Sequence, residues 1–149
     1  MLHSPKPPVG EPVPALLVEK KFGLKDNMRA VMIAEPGCID PAAELDPLTS
    51  PEEIPAGAQY DYIHLYVRHA AGMEDRIAAL IPHLAEHAML WVSFPNWTSP
   101  LFIDVTDEEV RNAALPFGLV DVKTRDDAED WRALKVISRH SLEAAAPIS

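Results

Sequence analysis

Three short, nearly uninterrupted apolar runs constrain this chain more than anything else in it: Ala30-Val31-Met32-Ile33-Ala34, Tyr62-Ile63-His64-Leu65-Tyr66-Val67 and Met89-Leu90-Trp91-Val92-Ser93-Phe94. Each has the length of a strand and the β-branched and aromatic content that strands favour. None shows the polar alternation of a half-exposed strand, so each reads as buried on both faces, as in a parallel sheet covered by helices. Between the second and third runs, residues 73–87 set Ile77, Leu80, Ile81 and Leu84 on one helical face, with Pro82 expected to kink or split the helix. Thr106-Asp107-Glu108-Glu109 has the capping-box pattern and opens a helix through about Leu115, ended by Pro116 and Gly118. Residues 119–124 and 131–138 then alternate apolar with polar about the acidic turn Asp126-Asp127-Ala128-Glu129-Asp130, which predicts an antiparallel pair. The fold class expected is α/β: a three-layer sandwich with a mostly parallel sheet and an antiparallel C-terminal strand pair.

At 149 residues the chain suits one domain, able to bury about 68–70% of the surface its unfolded form exposes. Five prolines in residues 1–14 predict an extended arm; residues 15–140 read as the domain and 141–149 as a tail. Residues 15–22 form a short helical pattern closed by Gly23 and expected to cover one face of the first strand. Five more prolines between Glu35 and Gln59 leave room for little regular structure. With 13 Lys+Arg against 23 Asp+Glu the formal charge is -10, a field that repels phosphate backbones and anionic lipids, so neither nucleic acid nor a membrane surface is expected as a partner. The single cysteine, Cys38, forms no internal disulfide, and the sequence carries no export signal or spanning run, which predicts a cytoplasmic protein.

The succession of strand, proline-broken loop, strand, kinked helix, Leu90-Trp91-Val92-Ser93-Phe94-Pro95, capped helix, Gly118-Leu119-Val120-Asp121-Val122-Lys123 and Trp131-Arg132-Ala133-Leu134-Lys135-Val136 resembles a family of small bacterial proteins of unknown function. The resemblance covers about residues 16–139 and implies a small Rossmann-like domain. Its closing hairpin is similar to the antiparallel end of methyltransferases that use S-adenosylmethionine. Two departures count against carrying that chemistry over: Glu35-Pro36-Gly37-Cys38-Ile39-Asp40 stands where a glycine-rich turn is usual, and no acidic residue closes a second strand to hold ribose hydroxyls. A third concerns Asn96, where the bacterial family commonly has a basic residue, so a charge-based role there does not transfer.

Ligands of open α/β sheets bind beyond the carboxyl ends of the parallel strands, which selects Glu35, Gly37 and Cys38 after the first run, Arg68 and His69 after the second, and Pro95, Asn96 and Trp97 after the third. Arg68 and His69 suit a carboxylate or phosphate, against the plainer reading of a solvated pair. Trp97 beside Asn96 offers a stacking face with an amide neighbour, or else a packing anchor. Cys38 precedes a helix-start pattern whose amides favour a thiolate, but an unreactive loop cysteine is the plainer reading. His83-Leu84-Ala85-Glu86-His87 matches a short zinc-hydrolase pattern without a third ligand, so no metal is expected. Lys135 shares a strand face with Trp131, and Arg132 takes the other face. The function expected is a non-catalytic module acting through a protein or small-molecule partner, with no cofactor; a homodimer is compatible with its terminal edge strand. The alternative is an S-adenosylmethionine- or nucleotide-dependent, methyltransferase-like enzyme whose pocket Glu35, Gly37 and Asp61 line.

Overall fold

The computed structural model describes residues 28–34, 48–127 and 131–139. Among these, five strands form one sheet in the order β1-β2-β3-β5-β4: β1 (Ala30–Ala34), β2 (Tyr60–Tyr66), β3 (Leu84–Pro95), β4 (Leu119–Asp127) and β5 (Trp131–Ser138). Two helices, α1 (Met73–Leu80) and α2 (Asp107–Ala114), follow β2 and β3. The three apolar runs are the three adjacent parallel strands: Ile63 of β2 faces Val31 of β1 on one side and Leu90 of β3 on the other. β5 then lies antiparallel between β3 and β4, with Val92 opposite Leu134 and Thr124 opposite Leu134 from the far side. The sheet is therefore mixed rather than mostly parallel. The hairpin does not append a pair to the outside of the sheet; its second strand enters between the first and β3, so two of the four strand pairings are antiparallel.

Period-two alternation divides the strand residues between two faces. Val31, Ile33, Ile63, Leu65, Leu90, Val92, Phe94, Leu134 and Val136 turn to the face on which both helices pack, through Met73, Ile77 and Leu80 of α1 and Val110, Ala113 and Ala114 of α2. Ala30, Tyr62, Trp91 and Ala133 occupy the opposite face and are equally buried. The helix expected over residues 15–22, and with it the third layer, lies outside the described residues, as do the arm, the tail and the acidic turn at 128–130.

The helical pattern of residues 73–87 ends earlier than its spacing predicts. α1 stops at Leu80, Pro82 sits in a 3-10 turn over Ile81–His83, and β3 begins at Leu84. Residues 85–88 make an excursion between two stretches of paired strand, with Tyr60 opposite Leu84 and Tyr62 opposite Met89. Within it His87 adopts φ 63, a left-handed conformation uncommon for a residue with a Cβ. Gly118, at φ 73, turns the chain from the 3-10 turn Leu115–Phe117 into β4, the stop that the Pro116/Gly118 signal predicts. No helix among the described residues is long and apolar enough to cross a membrane.

Candidate functional site

The carboxyl ends of β1, β2 and β3 stand level: Ala34 faces Tyr66, and Tyr66 faces Ser93. What makes this end distinctive is the route of the chain. After β1 it returns to place Leu48 parallel against Ile33 on the outer edge of β1, where Ala34 N donates to Leu48 O at 2.8 Å and Leu48 N to Met32 O at 2.9 Å. It then crosses to form β2 on the opposite edge of β1. With Leu48 on one edge of β1 and β2 on the other, the carboxyl end of β1 has the topology of a switch point, where open α/β sheets take their ligands. Leu48 thus stands at the place of a second strand. The residues after it are Thr49 and Ser50, and Thr49 donates from both its backbone N (3.0 Å) and Oγ1 (2.5 Å) to Glu53 Oε2, so that carboxylate is already engaged locally.

Of the residues selected from the sequence, Glu35, Gly37 and Cys38 lie outside the described residues. Arg68 and His69 leave the end of β2 together and diverge, Arg68 half-buried and His69 exposed. Ala70 N donates to Asp104 Oδ1 at 2.9 Å, which ties this turn to the segment ahead of α2. Arg68 Nε is buried and has no hydrogen-bond partner. Asp61 is at the wrong end for a pocket: its Oδ2 accepts from Arg29 N at 3.1 Å, beside the amino ends of β1 and β2.

Pro95 closes β3, and the next residues wind into a tight turn in which Ser99 N donates to Asn96 O at 2.8 Å and Thr98 N to Asn96 Oδ1 at 3.4 Å. This winding lifts Trp97 to the tip, 75% exposed. Trp97 is thus not buried in the core among the described residues. Asn96 and Trp97 border an open groove of about 610 Å³ whose floor is Phe94 and Val105 and whose far wall is the first turn of α2. Thr106 Oγ1 caps that helix by accepting from Glu109 N at 3.3 Å, as the capping-box pattern predicts. Arg132 reaches across from β5 and donates two bonds to Asp107, Nε to Oδ1 at 2.7 Å and Nη2 to Oδ2 at 2.8 Å. Arg111 Nε donates to Asp121 Oδ2 at 3.0 Å. The sequence carries no signal for these pairings, because Arg132 and Asp107 are 25 residues apart and only the insertion of β5 beside β3 brings them together.

Two further groups lie on the other face of the sheet. His64 is fully buried, with Nδ1 3.0 Å from the Tyr62 hydroxyl, Nε2 2.7 Å from Ser93 Oγ and its ring stacked 4.2 Å from Tyr66. One ring nitrogen donates and the other accepts, so the chain Tyr62-His64-Ser93 is internally satisfied and ties β2 to β3. Lys135 stands opposite Lys123 across the β4–β5 pair. Its ammonium is pushed below the ordinary lysine range, first by burial and then by the Lys123 charge. The zinc pattern does not assemble: His83 ends the 3-10 turn and donates from Nδ1 to Ala58 O at 2.7 Å, while Glu86 and His87 belong to β3. Among the described residues no three His, Cys, Asp or Glu side chains gather as a metal site.

No family model matches the chain, and no curated protein matches it in sequence, so membership of the bacterial family is not carried over. Among solved structures it is similar to a ribosomal protein L11 methylase from Lactobacillus delbrueckii subsp. bulgaricus, at 18% identity and a TM-score of 0.42, over 55% of this chain and 38% of that one. It is also similar to the tRNA methyltransferase TrmK of B. subtilis, at 14% identity and a TM-score of 0.44, over 70% of this chain and 42% of that one. A third is LepI in complex with SAM, at 11% identity and a TM-score of 0.48, over 91% and 49%. The chain spans less than half the length of each of these proteins. The expectation of no cofactor is corrected here: similar structures were solved with bound SAM or SAH, magnesium protoporphyrin IX methyltransferase from Synechocystis and LepI among them, so absence of a cofactor no longer stands as the leading reading.

Proposed function

We propose that this chain is a methyltransferase-like α/β module that binds a nucleoside cofactor of the S-adenosylmethionine class in the crevice at the carboxyl ends of β1 and β2. The observation that carries the reading is the reversal of chain direction at β1, with Leu48 on one edge and β2 on the other. The residues at hand fit such a group in one respect: Arg68, which follows β2, has a buried Nε that lacks an acceptor. S-adenosylmethionine, when bound, supplies an electrophilic methyl group. The chain's own contribution is to hold it, with Arg68 as a donor at the end of β2.

Isothermal titration of the full chain with S-adenosylmethionine and S-adenosylhomocysteine tests this reading. Saturable binding supports it, and ligand at about 100 times its dissociation constant should add about 2.7 kcal/mol to stability, raising the melting temperature by several degrees. Absence of heat and of a melting shift with both ligands overturns it.

A second reading, a module that acts through protein contacts, is favoured by a separate observation: Trp97, Ile103 and Leu115 are large apolar side chains left 75%, 43% and 57% exposed. Under that reading Trp97→Ala abolishes partner capture and leaves cofactor binding unchanged.

A further inference from the structure

The buried Nε of Arg68 has no acceptor, and no hydrogen bond or salt bridge joins its guanidinium to any described residue. A guanidinium stays charged at every pH a protein experiences and carries five N–H donors in a fixed fork. Burying one of those donors unmet costs about 1–3 kcal/mol, and native structures rarely tolerate that without a reason. Two other arginines are satisfied: Arg132 of β5 grips Asp107 with two bonds and Arg111 of α2 reaches Asp121. Arg68 differs in its position. It follows Val67, whose N donates to Ser93 O at 2.9 Å, so it leaves the sheet at the carboxyl end of the central strand pair, level with the end of β1.

We infer that Arg68 is the anion-holding residue of the crevice: its guanidinium receives the carboxylate or phosphate end of the small ligand, in the role that the amides of a glycine-rich turn fill elsewhere. This rests on the reading given under Proposed function and adds to it the residue and the group recognised. The chemistry on both sides is complementary. The chain is strongly acidic, with a formal charge of -10, so an anionic ligand needs one local cation to be accepted at all. Arg68 supplies that cation, and no carboxylate among the described residues engages it. Charge-assisted, two-pronged bonds to a planar carboxylate or to phosphate are the strongest polar contacts such a fork makes.

Two measurements test the assignment. In the first, the full chain and its Arg68→Met variant, shown to be folded by circular dichroism, are titrated with S-adenosylhomocysteine, with its decarboxylated analogue and with AMP. The inference expects Arg68→Met to weaken S-adenosylhomocysteine or AMP about tenfold or more while leaving the decarboxylated analogue unchanged; whichever of the two loses more identifies carboxylate or phosphate as the source. Equal affinities of wild type and variant for all three overturn the inference and leave the cofactor reading intact. In the second, phenylglyoxal modification of the wild-type chain is mapped by peptide mass with and without inorganic phosphate and with and without acetate. Selective protection of Arg68 by either anion supports the inference and absence of protection by both overturns it, even where no adenosyl ligand binds and the cofactor reading has failed on its own terms.

Discussion

Four residues sit in environments that make opposite demands on them. His87 holds φ 63 on the exposed excursion of β3, where a Cβ is a steric cost and glycine has none. His87→Gly is accordingly expected to raise stability by about 0.5–1 kcal/mol, read from urea unfolding at constant slope. Lys135 has the reverse problem, a charge held where burial and Lys123 disfavour it. Its folded pKa lies below its unfolded one, so the folded chain loses that proton first; the penalty is full below the folded pKa and is relieved as pH rises through it toward the ordinary lysine range. Lys135→Met should therefore melt higher than wild type at neutral pH, with the advantage shrinking as the scan pH climbs toward 10. Trp97 and Trp91 form a natural contrast, one 75% exposed and the other 1%. Trp97→Ala is expected to change stability by no more than about 0.5 kcal/mol, whereas Trp91→Ala should cost about 3–5 kcal/mol. Fluorescence of the Trp97→Ala protein should also lose the component quenched by acrylamide.

Elements owe their ends mostly to short-range chemistry and their neighbours to long-range chemistry, and the first kind was the more legible in the sequence. Thr106 announces α2 because its hydroxyl meets Glu109 N three residues on; Thr106→Ala should cost about 1 kcal/mol by thermal denaturation. Gly118 announces the start of β4 for an equally local reason. Residues 73–87 mislead because Ile77, Leu80, Ile81 and Leu84 repeat at helical spacing, yet Pro82 cannot continue the hydrogen-bond ladder and Leu84 pairs instead with Tyr60. The placement of β5 is equally invisible, since alternation records which residues are buried and not which strand lies beside them. Of the site, the candidate positions at the strand ends came from the apolar runs that precede them. The clamp between Asp107 and Arg132, the exposure of Trp97 and the unmet donor of Arg68 came only with the packing. Asp107→Asn removes the acceptor charge from that clamp, and the loss is expected to be larger than for an open surface pair because both side chains are mostly covered.

On the scale of the whole molecule, the proposed cofactor site and the open groove draw on different strands of the five-stranded sheet: β1 and β2 for the first, β3, β5 and α2 for the second. That separation predicts independence. Arg68→Met should leave the Trp97 fluorescence and the Thr106-capped helix unaltered, and Trp97→Ala should leave the titration with S-adenosylhomocysteine unaltered, as expected of sites without shared partners. The order β1-β2-β3-β5-β4 also governs how the chain can be made. The last of the described strands is interior in the sheet, wedged between β3 and β4, so during synthesis the edge of β3 must wait, unpaired, until residue 138 has left the ribosome. A message cut anywhere before Trp131 would yield no smaller version of this protein. It would yield an open edge bearing Leu90, Val92 and Phe94, a species for chaperones and proteases to handle.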